Sequence, residues 1–546
     1  MQLIECSKIK KYFGDRLILD IDHLEINSED RIGIVGRNGV GKTTLMNILS
    51  QRLEPDEGWV KVHGRAGYIT QLEPPEKKSI SGEMASKFGV RQEWDEHMSG
   101  GEKTRFKLAQ ALENRSIVIL ADEPTSNVDI EGIELMAKKF QCYEGALVVI
   151  SHDRSFLDKV CNQILEIEGG KLKSYKGNYS AYKQQKALEA ERAQFEYEEY
   201  TKEKKRLQGV ILQSQQQVKS MRKAPKRMGN SEARLHKMGN QKAKANLERA
   251  VENVKKRIEH LEVKEKPREL AKMKLDVMDS MRLHSKVIIE GKNVSKSFGK
   301  KVIFDNAEFA IYNGARIALI GPNGCGKTTL IRMITNREDG ISIAQGAKIG
   351  YFSQDMNILN KAGSIIENVM DSSIYPESFA RLLLARLLFR GDEIYKPVEV
   401  LSGGERVKVS FAKILLQDIN LLILDEPTNY MDIDALEVIE DTLREYDRTL
   451  LFVSHDRRFI DAVANQVMTI IDGKIEQFAG SYAEYLERSQ KAAKSSGEEI
   501  EIQEIVLRNR LSEVIGRLSM PSKKDDIQAL DKEYHEILAA LKRLKG

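Results

Sequence analysis

The chain has 546 residues, 41% apolar and 31% charged, with a formal net charge of +4. That length suffices for two or three domains, in a composition ordinary for a globular protein with much surface helix. Cys6, Cys142, Cys161 and Cys325 have no paired spacing, so a disulfide framework and a zinc site are not expected, and a reducing cytosol is. No apolar run approaches the ~18–20 residues that span a bilayer, and the N-terminus MQLIECSKIKKYFG lacks the apolar stretch of a signal peptide.

In chain order, the first chemical signal is an apolar strand entering a glycine-rich turn, IGIVGRNGVGKTT at 32–44. In the pattern GxxxxGK[ST], Gly36, Gly39 and Gly41 let backbone N–H groups wrap phosphate oxygens without Cβ clashes. Lys42 is expected to reach the β- and γ-phosphates and Thr43 to ligate Mg²⁺, with Asn38 and Thr44 completing the nucleotide-binding loop. YITQ follows, ending in Gln71, a side chain placed for contact with water or Mg²⁺. MSGGEKTR at 98–105 comes next; Ser99, Gly100 and Gly101 opening a helix make a second phosphate-binding N-terminus. A further apolar strand, from 117, ends in Asp122 and Glu123. The first acid is suited to hold Mg²⁺ through water, and the second to polarise an attacking water. VVISHDRSF then places His152 after another apolar strand, as a γ-phosphate sensor.

From Ala187 to Gln217 and from Asn240 to Lys264 the chain is almost free of Gly and Pro and reads as two helical arms of ~27–30 residues, about 40 Å long. In the second arm Leu247, Val251, Val254, Ile258 and Leu261 form an apolar seam at helical period; in the first, Leu188, Phe195 and Leu207 are the best seam candidates. Between them, residues 211–244 carry nine Lys/Arg against one acid, Glu232. Pro225, Gly229 and Gly239 argue against one unbroken helix there. Arg222, Lys223, Lys226, Arg227, Arg234 and Lys237 suit phosphate contacts, and Met228, Leu235, His236 and Met238 suit packing against bases or a drug site.

The second half repeats the first. IALIGPNGCGKTT at 317–329 supplies Gly321, Asn323, Gly324, Gly326, Lys327, Thr328 and Thr329. YFSQ supplies Gln354, LSGGERVK supplies Ser402, Gly403 and Gly404, LLILDEP supplies Asp425 and Glu426, and LFVSHDRRF supplies His455. A repeat this long is a duplicated domain rather than a solenoid. One domain has no need of two phosphate cradles for one γ-phosphate, so each SGGE is expected to serve the nucleotide of the other half. Beyond it, residues 487–546 read as a helical hairpin broken at Met520-Pro521.

The set of phosphate loop, Gln, SGGE, strand-DEP and SHD resembles the nucleotide-binding domains of the ATP-binding cassette superfamily, over roughly residues 1–180 and 287–485. The resemblance implies that Phe13 and Phe298 stack on adenine and that Asp129 and Asp432 couple the two sites. It also pairs Lys42 with Ser402 and Lys327 with Ser99 in composite sites. MSGGE and SNVDI depart from the usual pattern and touch the second of these, so the two sites are expected to turn over at different rates.

Two cassettes on one chain, joined by helices and without membrane spans, resemble the ABC-F family, whose members act on ribosomes. Only 28 residues separate Gln71 from Ser99, against 48 between Gln354 and Ser402, so the first cassette has no room for the extra arm of the family's translation factors. With the long linker tip and C-terminal extension, this resembles the antibiotic-resistance branch, of the Vml/Vga/Lsa kind. That resemblance implies an α/β fold with domains at 1–184, 286–486 and a helical 487–546, and a linker at 185–285. It implies a cytoplasmic, monomeric ATPase using ATP and Mg²⁺. Its partners would be large-subunit rRNA and peptidyl-tRNA near the exit tRNA site, with neither membrane nor DNA involved, and it would relieve antibiotics of the peptidyl-transferase centre. The alternatives are a housekeeping translation factor of the same family and the ATPase half of an exporter; DNA-acting cassette proteins carry their coiled coils inside a cassette.

Overall fold

The computed structural model describes residues 1–70, 73–75, 77–98, 100–114, 116–126, 128–220, 230–264, 266, 283, 285–353, 358–389, 391–429, 431–489, 491, 514, 532 and 538, the side chains of 219–243 excepted. They group into two compact units. The first is Met1–His97, Thr104–Thr125 and Met136–Met273; the second is Met98–Lys103, Ser126–Leu135 and Lys274–Gly546.

The first half runs β1 (Gln2–Phe13), β2 (Arg16–Asn27), β3 (Arg31–Val35), α1 (Lys42–Leu49), β4 (Glu57–Val62), β5 (Ala66–Ile69), α2 (Gly82–Phe88), α3 (Gly100–Glu113), β6 (Val118–Asp122), α4 (Ile130–Gln141), β7 (Ala146–Ile150), α5 (Arg154–Val160), β8 (Gln163–Glu168) and β9 (Lys171–Lys176). β2, β1 and β4 form an antiparallel sheet. A six-stranded sheet has the order β5-β6-β7-β3-β8-β9, parallel except for β9. Its central strands are covered on both faces, so β6 (VILAD) and β7 (ALVVI) are unbroken apolar runs with every residue buried, apart from the terminal acid of β6 in character.

Two long helices follow, α6 (Tyr179–Ser220) and α7 (Asn230–Glu259). The second half repeats the order with β10 (Val287–Phe298), β11 (Lys301–Tyr312), β12 (Arg316–Ile320), α8 (Lys327–Thr335), β13 (Ile341–Ile343), β14 (Ile349–Phe352), α9 (Ile365–Met370), α10 (Glu377–Arg386), α11 (Gly403–Leu415), β15 (Leu421–Asp425), α12 (Ile433–Arg444), β16 (Thr449–Val453), α13 (Arg457–Val463), β17 (Gln466–Ile471) and β18 (Lys474–Ala479). Its sheets have the matching orders β11-β10-β13 and β14-β15-β16-β12-β17-β18. The chain is thus α/β with two tandem cassettes.

The helical arms differ in detail from the expectation. α6 has 42 residues, about 63 Å at ~1.5 Å per residue. It starts before residue 185 because its first turn is held by the cassette: Asn178 Oδ1 accepts from Ala181 N at 3.1 Å, and the Asp158 carboxylate takes both the N–H and the hydroxyl of Ser180 at 2.7 Å. One turn on, buried Glu166 accepts from the Tyr182 and Tyr175 hydroxyls at 2.9 and 3.3 Å and pairs with Lys186. α7 begins at Asn230 rather than 240 and ends at Glu259 rather than 264, so it runs through Gly239. One glycine in a helix costs only about 1 kcal/mol relative to Ala, so flanking helix formers carry it through.

The second-arm seam is as read: Leu247, Val251, Val254, Ile258 and Leu261 are half-buried. In the first arm Leu188 and Phe195 are 54% and 66% exposed, and Leu207 alone of the three is buried. The seam there is Tyr197, Thr201, Lys204, Leu207, Ile211, Ser214 and Val218, a helical stripe hidden by its polar members. Glu203 to Arg257 at 3.6 Å and Glu196 to Lys264 at 3.1 Å cross between the arms and run antiparallel. Arg222, Lys223, Lys226, Arg227 and Met228 lie outside the described residues, as do the side chains of Arg234, Leu235, His236, Lys237 and Met238. The C-terminal hairpin lies outside them too, apart from isolated positions.

Candidate functional site

The parallel order β6-β7-β3 brings three loop-bearing strand ends side by side. Ile34 pairs level with Ile150, and Asp122 with Ile150 as well. The glycine loop, the acid pair and the His152 segment therefore leave the sheet at one edge, the place where open α/β sheets bind ligands. Leu319, Val453 and Asp425 repeat this in the second half.

Glycine is required where the loop turns into its helix. Gly41 has φ +103° and a Cβ there would meet Ile18 Cγ2 at 2.7 Å; Gly326 has φ +112° and would meet Ile303 Cγ2 at 2.4 Å. The loop lysines are buried and fold back over it. Lys42 Nζ donates to the Gly36 and Arg37 carbonyls at 2.7 and 3.0 Å, and Lys327 Nζ to those of Gly321 and Pro322 at 2.8 and 3.2 Å. Phe13 and Phe298 end their strands 55% and 58% exposed, ahead of left-handed Gly14 and Gly299.

Glu123 and Glu426 are left-handed, at φ +49° and +53°. Each gives its N–H to the strand next door, Glu123 to Ile150 O at 2.9 Å and Glu426 to Val453 O at 3.0 Å. The backbone strain of a non-glycine residue there is a hallmark of functional loops. It turns each carboxylate towards its histidine: Glu123 Oε1 lies 3.3 Å from His152 Nε2, and Glu426 Oε1 3.0 Å from His455 Nε2. Burial pushes the Glu123 carboxyl up to about 8, with the Lys42 charge opposing and Asp122 adding to the rise. Burial likewise raises Asp122, against a hydrogen bond from Thr43. It raises Asp425 to about 6, helped by Glu426 and opposed by a hydrogen bond from Thr328, whose Oγ1 lies 3.4 Å away. Threonine hydroxyl and buried aspartate, side by side, are oxygen donors that fit a hard cation.

Some residues that build the site were not picked out from the sequence. Ser151 and Ser454 Oγ bond Thr125 and Thr428 Oγ1 at 2.9 and 3.2 Å, locking each SHD to its DEP loop. Asp153 and Asp456 cap the helices that follow, accepting from Phe156 and Phe459 N at 2.9 and 3.1 Å. Ser402 and Glu405 form a reciprocal capping box at the start of α11, where the Glu of SGGE earns its place. The S-x-x-E spacing was the available signal. Gly403 is exposed at that helix start.

Ser99, Gln71 and Gln354 lie outside the described residues. The second unit holds 100–103 and 128–135 from the first half together with the loop at 321–328. Within it, Asp129 Oδ2 accepts from Asn323 N at 3.2 Å, and Glu134 pairs with Arg457.

A family profile described as ABC transporter matches residues 19–88 and 304–429, and a second with the same description matches 165–241. The erythromycin resistance ATP-binding protein MsrA of Staphylococcus epidermidis is 33% identical over 85% of this chain and 96% of its own length. The chain belongs to the ABC-F family of ATP-binding cassette proteins. It is an ATPase. The ribosome protection protein VmlR of Bacillus subtilis (strain 168) is 29% identical to this ABC-F protein over 100% of the chain and 98% of its own length. The putative ATP-binding protein YdiF of the same organism is 30% identical over 89% and 83%. Among solved structures, the archaeal ribosome recycling factor aABCE1, in complex with the stalk protein aP1, covers 89% of this chain and 92% of its own with a TM-score of 0.60 at 20% identity, a likeness of fold. Among the described residues of the ABC-F chain, no helix is long and apolar enough to cross a membrane.

Proposed function

We propose that this ABC-F ATPase binds the ribosome near the exit tRNA site and relieves inhibition by antibiotics of the peptidyl-transferase centre. What carries the reading is the pair of antiparallel arms α6 and α7, between which the sequence carries a strongly basic, methionine-bearing segment, in a chain of two ATP-binding cassettes. Similarity over nearly full length to a ribosome protection protein, and to an erythromycin resistance protein, supports it. Large-subunit rRNA and peptidyl-tRNA are the partners; Arg222, Lys223, Lys226, Arg227, Arg234 and Lys237 meet phosphates, and Met228, Leu235, His236 and Met238 form the working end.

ATP is held by each glycine loop and lysine, with Phe13 or Phe298 under the adenine, and is shared with Ser402 or Ser99 of the opposite cassette. Mg²⁺, which neutralises phosphate oxygens, is held by Thr43 with Asp122 and Gln71, and by Thr328 with Asp425 and Gln354. Glu123 and Glu426 orient and polarise the attacking water, and His152 and His455 hold those carboxylates in place.

Growth with and without the protein, across several classes of peptidyl-transferase inhibitors, tests this. Protection against some classes, with ATP-dependent co-sedimentation with ribosomes, is expected. Ribosome binding without any change in drug tolerance would instead assign a housekeeping translation factor. Partition with membranes would assign an exporter ATPase.

A further inference from the structure

The two cassettes differ at the outer edge of the main sheet, where β5 and β14 are the matching edge strands. Gly67 and Gly350 occupy the same place on them: Ala66 pairs with Val118 as Ile349 does with Leu421, and the carbonyls of Arg65 and Lys348 accept equivalent N–H groups, from Ile117 and Asn420 at 3.0 Å. In the second cassette the space over the glycine is filled by hydrocarbon. A Cβ on Gly350 would meet Ile419 Cδ1 at 2.6 Å and Ile414 Cγ2 at 3.0 Å. In the first cassette the same two neighbours are Ser116, with Oγ at 2.8 Å, and Ala111, with Cβ at 3.6 Å. The exchange puts a serine and an alanine where the second cassette has two isoleucines, and both line a cleft.

That cleft is lined by Arg52, Arg65, Lys107, Gln110, Asn114 and Ser116, with no Asp or Glu among its described lining. Lys107 is buried and donates to the Thr70 carbonyl at 2.8 Å; the matching residue in the second cassette is Ser410. Arg52 is answered by Glu73 at 2.7 Å, whereas Arg65 is exposed. Lys348, which matches Arg65, is instead neutralised by Asp418, and the residue before Ser116 is Arg115 where the second cassette has Asp418. Ser116 Oγ is buried, 5% exposed, and has no partner. A buried hydroxyl with no acceptor is rare in folded proteins and marks a place where a ligand or water completes the bonding.

We infer that this cleft binds a phosphoryl group, separately from the two ATP sites, with Arg65 and Lys107 supplying charge and Ser116 and Asn114 supplying hydrogen bonds. The group is carried either by a small phosphate compound or by an RNA backbone. The test is to make the first cassette resemble the second: Ala111→Ile with Ser116→Ile fills the cleft with side chains the fold already accepts in its duplicate.

The full chain, with both nucleotide sites saturated by a non-hydrolysable ATP analogue, is dialysed against labelled inorganic pyrophosphate and separately titrated with a short single-stranded RNA. The filled variant is expected to bind one of these probes at least tenfold more weakly than wild type, with ATPase activity retained. Loss for pyrophosphate identifies a small phosphate compound, and loss for RNA alone identifies a backbone phosphate. Arg65→Glu, at an exposed position that folding tolerates, must reproduce the loss and serves as the test if the filled variant does not fold. Equal binding of both probes by wild type and variants overturns the inference.

Discussion

Glu123 and Glu426 are each left-handed, tied by backbone to the neighbouring strand and within 3.3 Å of a histidine, so their geometry is set by the fold rather than by side-chain choice. Glu123→Gln with Glu426→Gln keeps shape and removes the acids assigned to orient and polarise the attacking water. ATPase turnover should fall on the order of 10²–10⁴-fold while ATP binding persists, as measured by phosphate release and nucleotide retention. Normal turnover would remove both acids from this role. Glu123 also makes stability depend on pH. Its carboxyl keeps a proton up to about 8 in the folded chain, against an ordinary 4.5. Between those values the folded state holds a proton that the unfolded state has released, so stability falls as pH rises through the window. Relative to Glu123→Gln, the wild type should lose on the order of 1–3 kcal/mol between pH 5 and pH 8, read from denaturant titrations at each pH.

At the scale of elements, the arms depend on one buried leucine more than on their exposed apolar residues. Leu207 is 3% exposed in the seam against α7, while Phe195, on the same helix, is 66% exposed. Leu207→Ala should therefore cost about 2–4 kcal/mol of local stability and speed amide exchange in α6 and α7. Phe195→Ser should change it by no more than about 0.5 kcal/mol. The reverse order would restore the seam through Phe195. The root of α6 relies on Glu166, whose carboxylate is shared by Tyr175, Tyr182 and Lys186. Thr469 stands at the matching place in the second cassette, so this polar anchor belongs to the cassette that carries the linker.

For the whole molecule, the basic segment between the arms governs attachment to the ribosome if the proposed function holds. With about five or six of its cations on phosphates, its share of the log–log salt slope is roughly −4 to −5, at about 0.7–0.9 per contact. Neutralising Arg222, Lys223, Lys226 and Arg227 should flatten the salt dependence of ribosome co-sedimentation by about 3, at about 0.7–0.9 for each of these four cations; an unchanged slope would place all anchoring elsewhere. Alanine at Leu235, His236 and Met238 should leave ATPase activity and ribosome binding intact and change which drugs are tolerated. A change confined to some drugs indicates local action on the drug site, and equal loss for all indicates action through tRNA. An unaltered drug spectrum would mean these three side chains are not the working end.

The features legible in the sequence are those encoded by residues close together along the chain. Glycine loops, apolar strands ending in acids, the duplicated order of motifs and the regular seam from Leu247 to Leu261 all follow from local spacing, because backbone geometry makes near neighbours share a face or a turn. The tertiary structure decided what depends on distant partners. It brought Glu123 to His152 through the order β6-β7-β3, and it chose Leu207 over Leu188 and Phe195 through the line where α7 packs. It carried α7 through Gly239, and it opened a polar cleft in one cassette where its duplicate is closed by Ile414 and Ile419. Those outcomes depend on which surfaces lose water against which, and no short window of sequence contains both sides of that contact.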